Sequence, residues 1–384
     1  MKYRITCLTP TLVGDGQRLS PIDYMVWKDH VNVLDQRRIF RLLAKGPRLD
    51  GYLAQLKKSE KLDFASWGGF AQNFAGRRIP FEHPDAAQFL NRAAPQDLFI
   101  PTFATVSAGA YLPATALKGA LRTAFVHSRW NERATKELAE RAASNDPRAL
   151  RRVGPGVEEA ALGPGGANAM RAILPADSAP IPDSSFKIYL LRTSTLEARG
   201  GQGKYELAWK ISPRGAAPGR KPDDSTPAFA EMAVPGTVFE GDWQENEFIK
   251  RNGRIAGNPR VPDRNAILQA ANQYSTAVLA LHRRYAEWTG LNPLLSAIAA
   301  LEQQAVGTGM AGDACVLPLG WAAGFLSKVA NLDTTQESFR QIVRQISFYS
   351  RAVQSGLPFP KTRRIVFAGN QPATLPGWVR LEIG

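Results

Sequence analysis

The stretch "YLPATALKGALRTAF", Tyr111 to Phe125, places Lys118 and Arg122 four residues apart in an otherwise apolar run. Leu117, Ala120, Leu121, Ala124 and Phe125 fall on one face of a helix, while Lys118, Arg122 and Arg129 step by four and seven onto the other. Thr115 is placed to cap the first free amides. A helix start with unpaired N–H groups and a positive dipole end favours phosphate. The competing reading is a core-packing helix with a solvated basic face, which is the usual arrangement of surface helices. The helix is expected to run on through "VHSRWNERATKELAERAA", and from residue 114 to 152 nine basic residues face four acidic ones.

The whole chain has the same bias. Its 384 residues carry 48 Lys+Arg against 34 Asp+Glu, a formal net charge of +14, which attracts polyanions, nucleic acid first. The length suits two domains of ordinary size. No apolar run approaches the roughly 20 residues that span a bilayer, so no membrane role is expected. The N-terminus "MKYRITCLTPTLVGDG" lacks an apolar signal core. Cys7 and Cys315 form neither metal spacing nor a disulfide framework, and both sit in strand-like contexts as buried thiols. These features fit a reducing cytoplasm.

"YRITCLTP" reads as a first strand followed by a Gly-rich loop. "IDYMVW" and "HVNVLD", separated by Lys28-Asp29, read as a β-hairpin. Asp35 caps a helix with Ile39, Leu42 and Leu43 on its inner face. Residues 46–95 read as a helical insertion broken at Gly68-Gly69 and Pro80. "RRVGPGVEEAALGPGGANA", dense in Gly and Pro, reads as a linker and sets a boundary at residue 165. Beyond it come "MRAILPAD", "SFKIYLLRTST", "YELAWKIS" and "AFAEMAVPGTVFEGDW" as strands, with "EARGGQGK" a hairpin tip carrying Arg199 and Lys204. Residues 263–306 form a helical insertion, with Ile267, Leu268, Ala271, Tyr274, Val278 and Leu281 at helical spacing. A helix near 335–354 and a terminal hairpin, "RRIVFAGNQPATLPGWVRLEI", close the chain. Two halves of strands and helices imply α+β domains.

Two further segments bear on chemistry. "GTGMAGDACVLPLGWAAGF" contains Gly307, Gly309, Gly312, Gly320 and Gly324, where glycine lets a backbone approach a ligand, and Lys328 follows it. It follows a helix, so it is not a dinucleotide fingerprint. In "PKTRRIVF", Lys361 and Arg363 point to one side of a strand and Arg364 to the other; a solvated edge strand has the same look. The four histidines, His30, His83, His127 and His282, are scattered. Asp15 and Asp23 flank a Gly loop, where Asp usually serves local hydrogen bonding. With no phosphate-binding P-loop, serine elbow or CxxC pair in the sequence, no cofactor and no catalytic residue are expected.

In this order, "TPTLVGDG", "YLPATALKGALRTAF", "FAEMAVPGTVFEG", "PLGWAAGFLSK" and "KTRRIVFAGN…GWVRLEI" resemble the RAMP superfamily of CRISPR RNA-binding proteins. Within it, they are similar to the family of fifth subunits of the type III-A (Csm) effector complexes. The resemblance implies two ferredoxin-like (RRM-type) domains, divided as 1–165 and 166–384. It implies a structural subunit that caps the backbone filament at the 3′ end of the CRISPR RNA. It implies as partners that guide RNA, the filament subunit, the small helical subunit and target RNA. By motif position, Lys118, Gly119 and Arg122 fall in the family's "LKGxxR" core, Gly14 and Gly16 in its first Gly loop, and Gly320, Gly324 and Lys328 in its second. The family's Pro-Gly-Ser-Ser is here Pro113-Ala114-Thr115-Ala116. Asp23, in "SPIDYMV", matches the position at which filament-forming relatives carry an aspartate for metal-dependent RNA cutting, which supplies the alternative reading of a nuclease. A histidine-dependent nuclease using His30 or His127, and a basic enzyme that binds a nucleotide, are the remaining rivals.

Overall fold

A computed structural model describes residues 1–58, 73–144, 146, 153–165, 168–200, 203–212, 216–252 and 261–384. The chain begins as expected with β1 (Lys2–Cys7), in which Tyr3, Ile5 and Cys7 are buried by simple alternation. The hairpin β2 (Tyr24–Trp27) and β3 (His30–Leu34) turns at Lys28-Asp29, with Lys28 at a positive φ of 52°. Asp35 then accepts a bond from the Arg38 amide and starts α1 (Gln36–Leu43). Ile39 and Leu43 of α1 are buried, whereas Leu42, expected on the same face, is 57% exposed. After α2 (Leu49–Lys58) the chain re-enters as β4 (Ala75–Pro80), a third strand on the hairpin, where a helix had been expected. β3 left an open edge, and pairing with it outweighs local propensity. Gly68 and Gly69 lie outside the described residues.

α3 (Pro84–Arg92) leads to α4 (Ala114–Ser128). The expected long helix is instead two, because Asn131 caps a new start for α5 (Glu132–Ala142). The described part of the expected linker holds α6 (Val153–Leu162). Strands β5 (Ile173–Ser178), β6 (Phe186–Ala198), β7 (Tyr205–Trp209), β8 (Ala228–Ala233) and β9 (Val238–Glu245) match the strands expected there. α7 (Glu247–Asn252), α8 (Arg264–Thr289) and α9 (Asn292–Ala311) follow, then β10 (Ala314–Pro318), α10 (Glu337–Arg344) and α11 (Ser347–Gln354). β11 (Thr362–Ala368) and β12 (Gln371–Thr374) form a hairpin, and β13 (Trp378–Ile383) ends the chain.

Two antiparallel five-stranded sheets organise this α+β fold. The first runs β10–β13–β1–β9–β5; the second runs β7–β6–β11–β12, with β8 also on β6. β13 thus leaves the expected terminal hairpin and pairs with β1, so the first sheet joins strands from both sides of residue 165. Gly241 makes room for the Tyr3 ring opposite it: a Cβ there would lie 2.5 Å from that ring. Phe103 bridges the two sheets, its ring 5.1 Å from Phe186 of β6 and 5.3 Å from Phe239 of β9. One continuous core therefore underlies both. α8 covers the free edge of the first sheet. Asn272 donates to the Ala314 carbonyl at 3.0 Å and accepts from the Val316 amide at 3.1 Å, which satisfies edge groups β10 would otherwise expose.

The third sheet docks through a buried ion pair: Arg77 of β4 bonds Glu231 of β8, which is fully buried, and Asp183 at 2.8 Å. Both cysteines are buried free thiols, and burial raises each pKa, that of Cys7 to about 12. No described helix is long and apolar enough to cross a membrane.

Candidate nucleic-acid interface

α4 buries Leu117, Leu121, Ala124 and Phe125 and packs Ala120 against the core, as its spacing requires. Its first turn differs from expectation. Pro113, not Thr115, is the N-cap, and Thr115 is exposed without capping. The Ala114 amide instead donates to Asp177 Oδ1 at 2.7 Å, so a carboxylate from the end of β5 already answers the positive end of the helix. Proline presets the φ of the entry and leaves no side-chain cap to make.

The basic face of α4 is divided. α6 lies along it, and Arg122 forms an ion pair with Glu158. Arg129 donates to the Ala161 carbonyl at 3.0 Å and stacks over Phe125 at 4.3 Å. Lys118 has no ion-pair or hydrogen-bond partner among the described residues. Partial burial, then the charge of Arg171, lower its pKa. Among the described residues nothing crowds Gly119.

The two Gly loops meet. A Cβ at Gly14 would lie 2.8 Å from the Thr102 carbonyl oxygen, and one at Gly320 only 2.2 Å from that of Leu12. The Trp321 amide donates to the same Leu12 carbonyl at 2.7 Å. At these two positions glycine serves a close approach of the chain to itself. Gly16 and Gly324, at φ of 94° and 89°, are exposed with open space around them. Gly307 and Gly309 belong to α9, and Gly312, at φ 77°, ends it; these three are no part of the loop expected there.

Three arginines, Arg284, Arg340 and Arg363, line one cavity beside the β6–β7 hairpin. Arg199 and Lys204 close the β6–β7 hairpin through a backbone bond of 2.9 Å. Tyr205 meets Trp288 of α8 edge-on at 5.2 Å. Both rings line a cavity of about 220 Å³ together with Leu326, Pro360 and Arg363. Lys328 and Lys361 stand just beyond its lining, Lys328 exposed and Lys361 half-buried. Arg363 is not on a solvated strand edge. It is 8% exposed and donates to His282 Nδ1 at 2.9 Å and to the Pro360 carbonyl at 2.7 Å, with Tyr285 under its guanidinium at 4.5 Å. Burial lowers its pKa to about 10. α8 covers that side of β11, which no local pattern in β11 reports. Arg364, on the other side, stacks over Trp321 at 4.5 Å.

Asp23 is engaged locally: its Oδ2 accepts from the Ser20 amide at 2.7 Å and from the Ser20 hydroxyl at 2.5 Å. Asp15 likewise accepts from the Gln17 amide at 3.0 Å. Among the described residues no three His, Cys, Asp or Glu side chains gather as metal ligands would. His30 pairs with Asp29, His83 caps α3, and His127 bonds the Ala330 carbonyl at 2.6 Å. The arrangement holds exposed and half-buried cations beside aromatic rings, which suits binding of an anionic, base-bearing polymer. Arg171, Arg284 and Trp288 were not singled out in the sequence. Arg284 and Trp288, four apart on one face of α8, carry the spacing that could have marked them.

This arrangement of sheets and basic loops is that of a known class. Residues 4–266 match the RAMP superfamily, and the chain belongs to it. The resemblance read from the sequence is borne out. Along its whole length the chain is 22% identical, over 420 residues, to the CRISPR system protein Csm5 of Methanocaldococcus jannaschii, covering 89% of that protein. It shares its fold, at a TM-score of 0.68 and 20% identity over 100% of both chains, with a chain of a cryo-EM structure of a type III-A Csm–crRNA–target RNA ternary complex. The crystal structure of T. onnurineus Csm5 matches at a TM-score of 0.60 and 16% identity, covering 98% of this chain and 99% of that one.

Proposed function

We propose that this chain is a Csm5-type structural subunit of a type III-A ribonucleoprotein. It binds the CRISPR RNA, caps the backbone filament at the guide's 3′ end, and so supports guide maturation and antiviral defence. Its neighbours are the filament subunit, the small helical subunit and target RNA. Two ferredoxin-like units, 1–165 and 166–384, would present their Gly loops and the basic face of α4 to the guide backbone. The observation that carries this reading is the end-to-end match, over 100% of both chains, to a subunit of a Csm–crRNA–target RNA complex. The net charge of +14 and Lys118, without a partner among the described residues, agree with it. Contacts of this kind are to the phosphate backbone, so they are largely independent of sequence and weaken with salt. The chain binds rather than cuts on this reading, which agrees with Asp23 Oδ2 serving a local turn with Ser20.

The test is assembly of the complex from filament subunits and guide RNA with and without this chain. Adding it should shift the complex by one subunit and protect the guide's 3′ end from ribonuclease. An identical 3′ footprint with and without the chain would refute the capping role.

A further inference from the structure

The cavity at the foot of the β6–β7 hairpin has an unusual lining for so small a space. Its volume of about 220 Å³ falls below the roughly 300–1,000 Å³ of pockets for drug-sized ligands, so it suits one base or one mononucleotide. Three aromatic rings line it, Tyr205, Trp288 and Phe359. Arginine side chains supply the charge. Arg340 is tied to the Val353 carbonyl at 2.9 Å. Arg284 is exposed and has no partner among the described residues. Arg363, more than nine-tenths buried, spends its Nε and Nη1 on His282, Pro360 and Thr362, which leaves Nη2 without a protein partner among the described residues. The hydroxyl-bearing Thr334 and Thr335 complete the lining.

A buried guanidinium with an unused N–H, beside aromatic rings and a free arginine, is built for a planar ring attached to an anion. Arginine is suited to phosphate because its planar fork matches the oxyanion and carries charge without being strongly hydrated. Aromatic faces take bases irrespective of sequence. Lys204 directly precedes the cavity-lining Tyr205, and Arg199 pairs with it across the hairpin.

We propose that this cavity receives a single nucleotide drawn out of a bound RNA strand, its base against Trp288 and Tyr205 and its phosphate between Arg284 and Arg363. The inference rests on the RNA-binding reading above and adds a nucleotide pocket to it. Removing the base from its stack is repaid by stacking on the side chains and by the paired guanidinium groups.

The test uses the full-length chain and a fluorescently labelled single-stranded oligoadenylate in a salt series, with Trp288→Ala, Arg284→Ala and Lys118→Ala beside the wild type. Arg284 and Trp288 both lie on α8, so folding is checked by circular dichroism and Arg284→Lys serves as a milder variant. Trp288→Ala should lower affinity about tenfold with the salt slope unchanged, since it removes stacking alone. Arg284→Ala should lower the slope by about 0.7, one phosphate contact on a single strand. If Lys118→Ala weakens binding while both pocket variants match the wild type, the pocket inference fails and the RNA-binding reading stands. If the pocket variants weaken binding and Lys118→Ala does not, the pocket stands and the α4 surface falls. Thermal shift with adenosine 5′-monophosphate, adenosine and inorganic phosphate separates the sources. Stabilisation by the mononucleotide that is lost in Trp288→Ala, with RNA affinity unmoved, would overturn the proposal in favour of a free-nucleotide site.

Discussion

Arg363 Nε donates a hydrogen bond to His282 Nδ1 at 2.9 Å inside the protein. The bond fixes the imidazole as the neutral tautomer with its proton on Nε2, because Nδ1 must offer its lone pair. Burial, then the charge of Arg363, hold the His282 pKa well below the ordinary histidine value. The unfolded chain therefore takes up a proton near pH 6.5 that the folded chain refuses. Stability is full above that pH and declines as pH falls toward the folded value, by up to about 1.4 kcal/mol per pH unit. Urea unfolding at pH 7.5 and 5.5 should show this loss, and His282→Asn should flatten it. A variant with the pH dependence of the wild type would show that another group is responsible.

The divided basic face of α4 predicts unequal effects on RNA binding. Lys118→Ala should weaken single-stranded RNA binding and reduce the salt slope by about 0.7. Arg122→Ala should do less, because Glu158 already neutralises that guanidinium. Glu158→Gln should strengthen binding by releasing it. Filter binding across a salt series measures all three, and a larger effect at Arg122 than at Lys118 would contradict the assignment.

Gly320 has both a φ of 87° and a backbone oxygen 2.2 Å from where a Cβ would stand. Gly320→Ala should cost about 2–3 kcal/mol by chemical unfolding. Gly324→Ala, at a similar φ but in open space, should cost about 1 kcal/mol. Equal losses at the two sites would mean that the contact with Leu12 is not what constrains Gly320.

Arg192, 1% exposed, holds the loop before β8 from inside the second sheet. It donates to the Pro222 carbonyl at 2.8 Å, the Ser225 carbonyl at 2.9 Å and Asp223 at 3.2 Å, with Phe89 under it at 4.8 Å. Arg192→Met should cost roughly 2–4 kcal/mol, as buried carbonyls lose their donor. It should also speed tryptic cleavage after Arg220. Unchanged cleavage would place the loop's anchor elsewhere.

How much of this was legible in the sequence depends on the range of the interaction. Alternation in β1, the turn at Lys28-Asp29, the Asp35 cap and the helical spacing from Ile267 to Val278 all act over a few residues, and the structure keeps them. So does the apolar face of α4, because a core-facing stripe is a local periodicity. The candidate site was legible only in composition and motif order. What a given cation faces was not: Arg122 meets Glu158 across 36 residues, and Arg363 meets His282 across 81.

By itself, then, the sequence determined an α+β chain of short strands and capped helices, strongly basic, with two thiols inside and the motif order of a RAMP protein. The tertiary structure alone decided that β13 returns to β1, that α6 takes Arg122 from the basic face of α4, and that Arg363 turns inward to a cavity it shares with Trp288. The reason is physical. Caps, turns and periodicity are set by neighbours within a helical turn or a pleat, whereas the burial of a charge depends on which distant surface closes over it.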